Sequence, residues 1–150
     1  AAGVPEGSVD LTPERALMLE AGLDRLGAVD FEKGCYVGQE VTARTHYRGL
    51  VKRRLVPLTI AGDPPAIDSD IAWHGTVIGK SKTAASLAGP ITGKHEHKDA
   101  KSICLALLKL SDLHIILDAS ANDDGLTING HAAALALADW MQPLPRPAKP

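Results

Sequence analysis

The spacing of apolar positions along this chain changes near Gly49. Before that point, Leu17, Leu19, Leu23 and Leu26 form a partly regular helical stripe. Thr12-Pro13-Glu14 opens it with a capping threonine, a proline suited to the first helical position and an acidic residue just after. This predicts helix or helical turns over 15–26, ending near Gly27. Residues 28–31 read as a short extended link. A second helix is predicted from Gly38 to Arg48, with Val41, Arg44, Thr45 and Arg48 on one face, against the pull of its β-branched residues.

Beyond Val51 the period shortens. Leu55, Pro57 and Thr59 alternate with Val56, Leu58 and Ile60 as in a buried strand, and Gly62-Asp63-Pro64-Pro65 makes a turn. Further short strands are predicted at 71–73, 75–82, 102–110 and 113–117. Asp124-Gly125 and Asn129-Gly130 are hairpin-type turns flanking Leu126-Thr127-Ile128. The stretch from Ala132 to Met141 is ambiguous, since alanine favours helix but its place after a hairpin turn suits a closing strand. Short strands and frequent turns predict a small antiparallel β-barrel. The fold class is therefore α+β, divided into 1–49, a barrel over 50–142 and a proline-rich tail over 143–150. Residues 1–49 are too few for a core of their own and read as the end of a larger domain.

Composition narrows the function classes. Of 150 residues, 45% are hydrophobic, which is enough for a packed core, and a net charge of −2 does not call for nucleic acid as an obligatory partner. The apolar runs are too short to span a bilayer, and the opening residues do not resemble a signal peptide. The two cysteines sit in unlike settings, Cys35 among lysine and glycine and Cys104 in a strand-like apolar run. That suits reduced thiols in a cytoplasmic protein rather than a disulfide framework.

Cys35 is the candidate reactive residue. Lys33 two positions before it and a helix starting near Gly38 both favour a thiolate, and Gly34 and Gly38 allow a ligand to approach the backbone. The plainer reading is a small residue in a tight turn. Arg44, Arg48, Lys52, Arg53 and Arg54 lie in a stretch without acids from Val41 to Gly62, suited to an anionic tail, a phosphate or RNA, or else to a solvated face. Phe31, Tyr36 and Tyr47 gather around Cys35 and offer a flat wall, with Phe31 read as local core. His95-Glu96-His97 is too poor in ligands and too close to lysines to be read as a metal site, and Asp118, Ser120 and Asn122 lack the glycine and glutamate of a calcium loop.

Phe31-Glu32-Lys33-Gly34-Cys35-Tyr36-Val37-Gly38-Gln39-Glu40 closely resembles the signature of the YgfZ family of folate-binding proteins, relatives of the aminomethyltransferase (T-protein) of glycine cleavage. Gly3-Val4-Pro5, the segment from Pro13 to Val29, Arg44 and Arg48-Gly49 match further family segments in order, and the run from Gly75 to Gly79 resembles a barrel strand. The resemblance implies the C-terminal end of a T-protein-like folate-binding domain followed by a small β-barrel. It implies tetrahydrofolate as ligand and a role in assembly or repair of iron–sulfur clusters in client enzymes, including tRNA-modifying ones. Cys35 then carries the activity, supported by the motif positions Lys33, Gly34, Tyr36, Gly38, Gln39 and Glu40. Arg44, Arg48 and Arg53 are candidates to bind an anion, either a folate polyglutamate tail or RNA.

Two departures from the family stand out. The beginning of the folate domain is absent, and a polar segment from Ile91 to Lys101 interrupts the barrel. An accessory protein is favoured over an enzyme. The alternatives are a folate-dependent aminomethyl or one-carbon transferase and a non-catalytic interaction module.

Overall fold

The computed structural model describes residues 3–87, 100–119 and 123–146. Six strands close into an antiparallel barrel: β1 (Arg53–Ile60), β2 (Asp70–Trp73), β3 (Thr76–Ser86), β4 (Ser102–Lys109), β5 (Leu126–Ile128) and β6 (His131–Leu135). Around the ring the order is β1-β4-β3-β2-β5-β6, and β6 returns to β1. The α+β class and the barrel are as the strand pattern predicts.

The strands form where residues that favour pleated structure can bury a face. In β1 every residue after Arg53 is buried, which explains its continuous apolar reading. Its Val56, Leu58 and Ile60 join Ile71, Ala106, Leu108, Leu126 and Ile128 in one core. Asn129 and Gly130 take φ of 51° and 80°, both left-handed, and so make the two-residue turn between β5 and β6. At Gly79 a Cβ would lie 2.4 Å from Leu108 Cδ2 and 2.6 Å from the Leu107 carbonyl oxygen, so β3 and β4 approach this closely only across a glycine.

Several expectations are corrected. Residues 113–117 are not a strand. They belong to α3 (Leu110–Asp118), because Leu110 and Leu113 meet the core at helical spacing while Ile115 faces outward. The ambiguous stretch from Ala132 resolves into β6 followed by a short 3-10 turn at Asp139–Met141. Asp124-Gly125 precedes β5 but joins no hairpin, since β5 pairs with β2 and β6.

The stripe from Arg15 to Leu26 forms successive turns rather than a regular helix. Glu14 has φ of 61° and Gly22 of 80°, which interrupt helical geometry, and Gly27 at 72° ends the run with Ala28 N–H donating to the Leu23 carbonyl. A one-turn helix, α1 (Gly7–Asp10), precedes it. The Asp10 carboxylate accepts from the N–H of Glu6 and of Thr83, tying this lead-in to β3. The polar segment 91–99, with the His95-Glu96-His97 group, lies outside the described residues, as do Ser120, Asn122 and the last four residues of the tail.

The buried polar pair of this fold joins the turns to β1. Arg54 is 1% exposed, and its guanidinium lies 3.2 Å from Asp24 as an ion pair while donating to the Leu19 carbonyl. Burial lowers the Arg54 pKa from its usual value, and Asp24 opposes that shift. Trp140 lies within 3.1 Å of where a Cβ would stand on Gly22, so the C-terminal 3-10 turn also packs against this region.

Candidate functional site

The candidate site is the loop between Phe31 and α2 (Gln39–Tyr47). Its start is folded locally: the Asp30 carboxylate accepts from the N–H of Glu32 at 2.9 Å and of Lys33 at 3.1 Å. Its end turns through Gly38, whose φ of 84° places it in the left-handed region as the residue that caps α2. Gln39 N–H donates to the Tyr36 carbonyl, and Thr42 N–H makes the first helical bond to Gly38. Glu40 in the first turn and Arg44 in the last turn complement the helix dipole.

Cys35 is a free, exposed thiol on this loop. Lys33, Gly34, Gly38 and Glu40 are exposed with it, while Tyr36 and Gln39 are half-buried. The Tyr36 hydroxyl is buried without a hydrogen-bond partner among the described residues. The loop therefore presents a soft-ligand sulfur to solvent, three residues before the Gly38 cap of α2. Among the described residues no group of three or more His, Cys, Asp or Glu gathers into a metal site.

Cys104 is the opposite case. It is 2% exposed in β4, and burial pushes its thiol from 9.0 up to about 12. Near pH 8 its thiolate fraction is then on the order of one in ten thousand. The native protein is therefore expected to take up iodoacetamide at Cys35 and not at Cys104. Because the folded pKa lies above the unfolded one, the neutral buried thiol favours folding fully below pH 9. That contribution fades as pH rises toward about 12. Mass spectrometry of tryptic peptides against pH checks this, and equal labelling of both thiols at neutral pH would refute it.

The basic stretch separates in space. Arg44 is exposed on α2 and Arg48 is exposed at its C-cap, and the helix buries no residue of its own. Arg53 instead grips Glu20, with its Nε and Nη2 each 3.1 Å from a carboxylate oxygen, and Arg54 is committed to Asp24. Both acids come from the 18–27 turns. The absence of acids along 41–62 therefore does not leave the guanidinium of Arg53 unpaired, and it does not sit with Arg44 and Arg48 as a free cation.

Sequence reasoning passed over His46. Its ring stacks on Phe31 with centroids 4.0 Å apart and planes at 25°, and Tyr47 stands edge-on to both at 5.9 and 5.1 Å. Phe31 also packs against the barrel core, as expected. The adjacent rings of His46 and Tyr47 near the end of α2 were the available signal, but they do not reveal which residue the imidazole would meet.

Two clefts lie against the barrel wall. One, of about 220 Å³, is lined by Arg15, Leu17, Glu20, Arg53, Lys82 and Leu107 among others. The second, of about 230 Å³, runs between Gly3, Val4 and the Pro57, Thr83 and Ile103 surface. Cys35, Arg44 and Arg48 line neither.

No family model matches the chain. It is 38% identical over 138 residues to the iron–sulfur cluster assembly factor IBA57 homolog, mitochondrial, of Mycosarcoma maydis, covering 81% of this chain and 34% of that protein. It is 48% identical over 124 residues to the protein of the same name from Coccidioides immitis, covering 74% of this chain and 29% of the relative. With the mouse iron–sulfur cluster assembly factor IBA57, mitochondrial, identity rises to 52% over 64 residues, covering 43% of this chain and 18% of the relative. The chain thus spans about a third or less of the length of the curated relatives it matches. All three are named mitochondrial, which overturns the expectation of a cytoplasmic protein. These three relatives bear the name of the iron–sulfur cluster assembly factor IBA57, and the similarity to the Mycosarcoma maydis protein covers four-fifths of this chain.

Proposed function

We propose that this protein supports iron–sulfur cluster assembly in client enzymes, tRNA-modifying ones among them, with Cys35 as its working residue. The observation that carries the reading is an exposed, unbonded thiol on the Phe31–Gly38 loop of a chain related to assembly factors. A cluster iron accepts thiolate sulfur, and binding it releases the thiol proton. The cluster is the cargo in this reading. Iron–sulfur clusters are commonly held by four protein ligands, and Cys35 supplies one of these sulfurs in this reading.

Tetrahydrofolate is the small ligand we propose for the intact protein, and Arg44 and Arg48 are the cations we assign to its anionic tail. Neither of the two clefts described above fits it. Each falls below the roughly 300–1,000 Å³ of a typical ligand pocket, and Cys35 lines neither.

The test is depletion in cells. Removing the protein should lower the activity of iron–sulfur enzymes while their polypeptides persist, and re-expression should restore it. Unchanged iron–sulfur enzyme activity after depletion would sink the reading.

A further inference from the structure

Phe31, before the Cys35 loop, and His46, in the last turn of the helix after it, meet in space. Phe31, just before the loop, packs against the barrel core, and His46, on the helix that follows, lies flat on its ring at 4.0 Å. Between them, among the described residues, the loop makes only local bonds, from Glu32 and Lys33 to Asp30 and from Gln39 to Tyr36. The helix α2 buries no residue, so core burial does not hold it in place. Nine residues is also too short for a helix to be stable alone in water.

We propose that His46 is a positioning residue for Cys35: its stack on Phe31 clamps the base of the loop and fixes the thiol relative to the barrel. The route of restraint runs from the core through Phe31 to His46, along α2 to Gly38, and so to Cys35. Tyr47, edge-on to both rings, closes the cluster from a third side. The aromatic face of the imidazole is what matters, so a phenyl ring can replace it and an alanine cannot. The proposal builds on the reading of Cys35 as the working thiol.

The experiment attaches a methanethiosulfonate nitroxide to Cys35 in the full chain and reads its mobility by electron paramagnetic resonance. Burial keeps Cys104 from the reagent, and its continued protection reports an intact barrel. In His46→Ala the rotational correlation time of the label should fall about twofold or more, into the regime of loose loops. His46→Phe should restore the wild-type line shape. Phe31→Leu keeps an apolar contact with the core but removes the stack, and should loosen the label as His46→Ala does. An unchanged line shape in His46→Ala, or a label as mobile in His46→Phe as in His46→Ala, overturns the clamp. The label reports the clamp whether or not Cys35 serves iron–sulfur enzymes, and the Cys35→Ser variant reports that service, so the two ideas fail separately.

Discussion

Cys35→Ser is expected to abolish support of iron–sulfur enzymes and leave the fold unchanged. The side chain is exposed, so the substitution changes no core packing. Surface changes of this kind usually stay within about 0.5 kcal/mol. What is lost is chemistry. Serine keeps the approximate size, but its hydroxyl holds its proton at neutral pH and is a poor ligand for cluster iron, which prefers thiolate. Cells relying on the variant should show iron–sulfur enzyme activity no higher than depleted cells. The purified variant should melt within a degree or two of the parent, since such a small ΔΔG moves a midpoint of this size by little. A variant that sustains those enzymes at the parental level would make the motif structural and end the mechanism.

Arg54→Ala is expected to produce the largest loss of stability. Arg54 is 1% exposed and holds both Asp24 and the Leu19 carbonyl. Truncation leaves a mostly buried carboxylate without its counter-ion and opens a cavity where the side chain lay. Breaking one side of such a pair costs about 3–5 kcal/mol. Lysine should restore little, because a single ammonium cannot reach two acceptors as the planar guanidinium does. Replacing both partners with apolar residues, Arg54→Met with Asp24→Leu, should recover much of the loss, since no unpaired charge then remains. Denaturant titration followed by circular dichroism measures all four proteins. A loss below about 1 kcal/mol for Arg54→Ala would show that the pair contributes little.

The barrel was legible in the chain because its signals are local. The continuous buried run from Leu55 to Ile60 and the Asn129-Gly130 turn each carry their own instruction, one through burial of both faces and the other through left-handed φ. The Gly38 start of α2 was legible for the same reason. The helix at Leu110–Asp118 was not, because Ile115-Ile116 looks like a strand until the burial of Leu110 and Leu113 sets the period. The turns after Thr12 hide in an alanine- and leucine-rich run, where left-handed Glu14 and Gly22 interrupt a pattern that otherwise favours helix. The pairing of Arg53 with Glu20 and of Arg54 with Asp24 joins segments some thirty residues apart. Local charge counting sees neither pair, so it left Arg53 among the free cations. The Cys35 motif was legible as a whole, but the role of His46 depends on which ring it meets.

The ring order has a consequence for how the chain is made. β1 bonds to β4 on one side and to β6 on the other, with Thr59 opposite Ala134. The first strand therefore emerges from the ribosome long before its second neighbour exists, and until then one of its edges is bare. Pairing over such separations is slow, and a waiting apolar edge invites other strands. A chaperone that shields Leu55 to Ile60 until Leu135 has emerged would act at the most vulnerable interval of synthesis. A stop codon anywhere between Ile128 and Ala133 would leave that edge open for good.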